Sequence, residues 1–90
     1  MKHVNLKIVG FVQGVNFRNE AKIMADRLGV CGFAQNGPDD SVLIEAEGDE
    51  ARLQEFIKWC GNGPFGGEVD DVQIEESAPK GYHNFEIRYH

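Results

Sequence analysis

Long apolar runs are what this chain most clearly lacks. No stretch approaches the ~18 consecutive apolar residues of a membrane span. The opening Met1-Lys2-His3-Val4-Asn5 has no apolar core of a signal peptide. Asn-x-Ser/Thr acceptors are absent, and two cysteines, Cys31 and Cys60, are too few for a disulfide framework. The expectation is a cytoplasmic protein with no membrane partner and both thiols reduced. Both cysteines sit in apolar patterns and read as core thiols. Positive charge is also scarce: nine Lys/Arg stand against fifteen Asp/Glu, a net charge of −6. A nucleic-acid binder or a protein of anionic membranes would carry a basic face, so neither class fits. His3, His83 and His90 are scattered, with no spacing that suggests metal ligands.

The scarce positive charge is unevenly placed. Residues 1–35 hold five Lys/Arg against Glu20 and Asp26, a balance of +3, and the remainder carries −9. An anion site is therefore expected in the first third of the chain, and the acidic remainder reads as a solvated surface. Ninety residues make one domain, residues 1–90, burying roughly 60–65% of the surface exposed on unfolding. A monomer is the simplest expectation.

Val4, Leu6 and Ile8 alternate with Asn5 and Lys7, the period of a half-buried strand. Phe17, Ala21, Met24, Ala25 and Leu28 then fall at helical spacing, and Gly29 suits the helix stop. Val30–Asn36 and Ser41–Glu47 read as strands joined by the turn Gly37-Pro38-Asp39-Asp40. Asp49 is a natural N-cap for a second helix whose buried face is Leu53, Phe56, Ile57 and Cys60, with Gly61 as its stop. Residues 61–67 form a glycine-rich loop. Val69, Val72 and Ile74 suggest a fourth strand of irregular spacing, and Phe85, Ile87 and Tyr89 a fifth. The order β-α-β-β-α-β plus a terminal β predicts an α+β, ferredoxin-like split βαβ sandwich, with two helices on one face of an antiparallel sheet and a short C-terminal fifth strand. That fold hosts many functions and decides none.

The chemistry concentrates between the first strand and the first helix, in Gly10-Phe11-Val12-Gln13-Gly14-Val15-Asn16-Phe17-Arg18. A strand-to-helix turn leaves backbone N–H groups unpaired at the positive end of the helix, where they bind anions. Arg18 adds a planar fork able to hold two phosphoryl oxygens. Gly14 spares the turn and the approaching ligand a Cβ. The spacing fits neither G-x-x-x-x-G-K-[ST] nor G-x-G-x-x-G, so neither a nucleotide P-loop nor a dinucleotide site is indicated. The structural alternative is a tight turn whose Arg18 simply pairs with a carboxylate, and the residues alone leave the two readings level.

Ile8-Val9-Gly10-Phe11-Val12-Gln13-Gly14-Val15-Asn16-Phe17-Arg18 resembles the first motif of the acylphosphatase family, x-G-x-V-Q-G-V-x-F-R after an aliphatic residue. Gly32-Phe33-Ala34-Gln35-Asn36 with Val42 and Gly48 resembles its second motif. Gly63-Pro64, Val69-Asp70-Asp71-Val72 and the closing Phe85-Glu86-Ile87-Arg88-Tyr89 are similar to the family as well. The resemblance implies hydrolysis of acyl phosphates to carboxylate and inorganic phosphate without cofactor or metal. Phosphate would be both product and inhibitor. It implies that Arg18 and the amides of Gln13, Gly14, Val15, Asn16, Phe17 and Arg18 bind the phosphoryl group, and that Asn36 orients the attacking water. Three features depart from the family. Phe11 replaces a frequent basic residue, and Asp40 a frequent glycine whose positive φ aspartate tolerates. Gly66-Gly67 implies a looser loop than usual. Acylphosphatase-like domains also occur within larger maturation proteins, so a non-catalytic anion- or partner-binding module is the second reading. RNA binding on the open sheet face is disfavoured, because the aromatic RNA-binding strand signature is missing and the chain is acidic.

Overall fold

A computed structural model describes residues 1–14, 16–63 and 68–89. Its elements are β1 (Lys2–Phe11), α1 (Phe17–Leu28), β2 (Cys31–Asn36), a short 3-10 turn (Pro38–Asp40), β3 (Val42–Gly48), α2 (Glu50–Asn62), β4 (Glu68–Ser77) and β5 (Phe85–Arg88). The strands form one sheet in the order β4-β1-β3-β2-β5. β1 pairs with β3 and β4, and β2 with β3, all antiparallel. The expected fifth strand is present but runs parallel to β2, which makes the sheet mixed. Residues 78–84 cross the end of the sheet and so return β5 in the direction of β2.

Side-chain alternation places Val4, Leu6, Ile8, Ala34, Val42, Ile44 and Ala46 on the face under the helices, all at most 4% exposed. Phe17, Ala21 and Ala25 of α1 and Leu53, Phe56 and Cys60 of α2 close over them. Phe17 does this from the first position of α1, with its ring centroid 5.4 Å from that of Trp59. Burying a side chain of this size stabilises by about 1.5–3 kcal/mol. It also fixes where the helix begins.

The helix ends follow local chemistry. Gly29 closes α1 in the left-handed conformation as expected, and the Asp49 side chain accepts from the Arg52 N–H to cap α2. The predicted stop of α2 at Gly61 is wrong. The helix continues to Asn62 and ends at Gly63, whose φ of 73° takes the chain out and whose N–H donates to the Trp59 carbonyl at 2.9 Å. Gly61 is exposed and costs the helix only its modest propensity.

Two other expectations change. Ile74 is 52% exposed, because β4 is an edge strand with β1 as its one strand neighbour, and its half-buried contacts are Val69 and Val72. Cys60 is a core thiol, and burial pushes it well above its usual range. Cys31 is not: it sits opposite Glu47 on the face of the sheet away from the helices and is half-buried. Asp39 and Asp40 both take positive φ, 57° and 61°, in the hairpin turn. The Gly66-Gly67 departure lies outside the described residues, as do Val15, Pro64, Phe65 and His90.

Candidate active site

The turn after β1 hangs between two buried anchors, Val12 and Phe17, each 1% exposed. Between them Gly14 and Asn16 are exposed. Gly14 has φ of 79°, a conformation that costs an L side chain strain even though no atom crowds the position. Asn16 precedes α1 in the left-handed conformation, φ 66° and ψ 23°, and its side chain does not cap the helix. Its Oδ1 instead accepts from Asn19 Nδ2. Glu20 N–H donates to the Asn16 carbonyl at 3.0 Å and is the first amide of the helical ladder. The amides of Phe17, Arg18 and Asn19 precede that ladder, so the positive end of α1 opens outward.

Arg18 stands at the second position of α1. Its Nη1 donates to the Arg88 carbonyl at 3.0 Å, and its guanidinium lies 4.9 Å from the centroid of the Tyr89 ring. None of the ion pairs among the described residues involves Arg18. The carboxylate partner of the structural alternative is therefore missing there. A carbonyl and an aromatic face orient the group without neutralising it.

Asn36 ends β2 opposite Val42 and is half-buried. It lines the same cleft as Gln13, Gly14, Asn16, Arg18 and Tyr89, a hollow of about 380 Å³. Residues 18 positions apart in sequence thus converge, because β2 lies two strands from β1 with its C-terminal end beside the turn. Every described member of the predicted site is present in this cleft. Val15 lies outside the described residues. Tyr89 and the Arg88 carbonyl were missed as site residues by sequence reasoning, although they belong to the closing motif. No group of three or more His, Cys, Asp or Glu able to hold a metal occurs among the described residues.

A second hollow of about 370 Å³ lies on the free face of the sheet around Asn5, Lys7, Phe33, Gln35, Leu43 and Gln73. It has no loop amides, and Glu45 and Glu75 stand against Lys7 there, so it is poorly made for an anion.

The acylphosphatase family model matches residues 4–87, spanning both halves of the cleft. The chain belongs to the acylphosphatase family. The acylphosphatase of Thermotoga maritima is 42% identical over 90 residues, covering all of both chains. The crystal structure of acylphosphatase from Bacillus subtilis matches with a TM-score of 0.95 at 37% identity, covering 99% of this chain and 100% of that one. HypF from T. kodakarensis matches with a TM-score of 0.87 at 26% identity, covering 100% of this chain but 12% of that one. Membership makes this chain an acylphosphatase, an enzyme whose substrates are small acyl phosphates. No helix is long and apolar enough to cross a membrane among the described residues.

Proposed function

We propose that this acylphosphatase holds the phosphoryl group with Arg18 and the turn amides of residues 13–18, and that Asn36 orients the water that attacks it. The observation that carries this reading is the convergence of Arg18, the open start of α1 and Asn36 on one cleft. Phosphoryl transfer is achieved mostly by positioning and by stabilising charge on the equatorial oxygens. The turn amides and the unneutralised guanidinium supply that charge stabilisation. Water attacks phosphorus as the P–O bond to the carboxylate breaks. The carboxylate leaves with the bonding electrons, and the water's proton passes to a phosphate oxygen. Because a carboxylate leaves readily, neither a covalent nucleophile nor a metal is required. Asn36 is neutral, so its role is to aim the water rather than to act as a strong base.

Benzoyl phosphate hydrolysis tests this directly. The rate should be unaffected by a chelator, and inorganic phosphate should inhibit competitively. Asn36→Ala should lose roughly 10²-fold, mostly in kcat, because the side chain acts on water and not on substrate binding. Full activity in Asn36→Ala would overturn the assignment. A similar segment makes up 12% of the longer HypF chain, and the second reading is a non-catalytic anion- or partner-binding module. Phosphate binding without turnover of any acyl phosphate would favour it.

A further inference from the structure

Gln13 lies in the phosphate-holding turn, yet its side chain reaches away from it. Nε2 donates to the Ser41 carbonyl at 2.7 Å and to the Gly37 carbonyl at 3.3 Å. Gly37 follows Asn36 directly in the chain. We propose that Gln13 is a positioning residue, whose carboxamide fixes the hairpin carrying Asn36 against the turn that holds the phosphoryl group. The inference rests on the reading of Asn36 as the residue that orients water.

Three observations support the role. First, the hairpin tip is stiff, so tying its carbonyls locates Asn36. Gly37 N–H donates to the Ser41 carbonyl at 2.8 Å, and Ser41 donates to the Pro38 carbonyl from both N–H (3.1 Å) and Oγ (2.7 Å). Ser41 is 1% exposed, and a Cβ added at Gly37 would come within 2.6 Å of Leu43 Cγ. Second, the other end of the tie is equally fixed, since Val12 beside it is 1% exposed. Third, among the described residues no other side chain of the turn makes a hydrogen bond to the hairpin. Both hydrogens of the carboxamide are spent on main-chain carbonyls, which leaves Nε2 no hydrogen to donate to a phosphoryl oxygen. Without this tie, the turn and the hairpin tip would be held together only through the strands that carry them, β1, β3 and β2. A misplacement of about 1 Å is enough to cost on the order of 10²-fold in rate.

Gln13→Met removes the donor, keeps the length and adds no charge. It should lower kcat on benzoyl phosphate by about 10–100-fold, with the inhibition constant of inorganic phosphate within about threefold of wild type. Gln13→His retains a ring N–H at comparable reach and should recover part of the lost kcat. Hydrogen exchange at the Gly37 amide should quicken in Gln13→Met whether or not turnover is measured. Unchanged kcat or unchanged exchange would overturn the proposal. A kcat loss no larger than the loss of folded fraction would make Gln13 merely structural. A rise in the phosphate inhibition constant at constant kcat would make it a ligand instead. Should wild type bind phosphate without hydrolysing any acyl phosphate, the proposed activity fails, and the exchange measurement still decides the tie.

Discussion

The two ends of the sheet solve the same physical problem in opposite ways. At the end near residue 47, three successive backbone N–H groups, those of Lys80, Gly81 and Tyr82, converge on the Glu47 carboxylate at 2.5, 3.0 and 2.9 Å. His3 Nδ1 meets the same carboxylate at 2.9 Å, and both side chains are fully buried. His3 Nε2 faces Glu45 at 3.1 Å, and Glu45 also accepts from Lys80 Nζ and the Tyr82 hydroxyl. The protein thus builds an anion-binding nest there and fills it with its own glutamate. At the other end the amides that start α1 and the Arg18 guanidinium have no carboxylate of the described chain in them. The filled nest ties residues 78–84 to the sheet. The open one is the site proposed above for the phosphoryl group. Similar donor geometry is structural or functional according to whether the chain supplies the anion.

Breaking the open end should have the largest effect. Arg18→Ala should lower kcat/KM on benzoyl phosphate by roughly 10²–10³-fold, the scale for removing one key charge-stabilising donor. The melting temperature should change little, because Arg18 is half-buried and makes no ion pair among the described residues. Activity within tenfold of wild type would show that the amides alone suffice.

Breaking the filled end should invert that pattern. Glu47→Ala leaves three amides and a buried imidazole without their acceptor and should cost about 3 kcal/mol. Thermal melting should report this as a fall of roughly 10–20 °C. The phosphate inhibition constant of the folded variant should stay near that of wild type. A loss of phosphate affinity larger than the loss of folded protein would mean that the two ends communicate.

A smaller effect should appear with acid. Burial alone would raise the Glu47 carboxyl, but the Lys80 amide, the His3 ring and the amides of Tyr82 and Gly81 outweigh it and hold the group below the usual range. Burial also opposes the charge on Glu45, and the hydrogen bonds of Lys80 and Tyr82, with the charges of Lys80 and His3, again prevail. A depressed carboxyl contributes stability that is complete above the unfolded value and disappears as pH falls through the folded one. Stability should therefore hold down to the ordinary carboxylate value of 4.5 and decline below it. Urea melts of wild type and Glu47→Ala across that range measure it. The decline should be shallower in the variant, and parallel declines would remove these carboxyls as its cause.

The two ends also differ in how far the sequence discloses them. The turn at residues 10–18 is read in one pass, because its glycine, buried flanks and arginine are contiguous and each has a local reason to be there. Asn36 is legible through its own motif and through the hairpin that follows. The filled nest is not legible. His3 and Glu47 are buried by residues 80–82, which close over them from more than thirty positions away, and nothing local marks either as an interior residue. The Gln13 tie is hidden for a related reason: its targets are main-chain carbonyls, which every residue possesses. Among the strands, β1 alternates over Val4–Ile8 and β3 over Val42–Ala46 because the helices cover one face. β4 does not, because an edge strand with few buried side chains places little demand on its pattern.

The bond from Arg18 to the Arg88 carbonyl has a consequence for how ligands compete. An arginine resting on a carboxylate must surrender that partner before it receives an anion, and the exchange filters weak ligands. Here no carboxylate of the described chain has to be surrendered, so on the proposed reading Arg18 would meet acyl phosphate, free phosphate and sulfate alike. On that reading selectivity would arise after capture, at the step where water attacks and only a phosphoryl group with a good leaving group goes on to react. The surrounding net charge of −6 works the other way at long range, opposing every anion alike. Added neutral salt should screen that repulsion at a distance and weaken the local hold on the ligand, two opposing contributions to the same affinity.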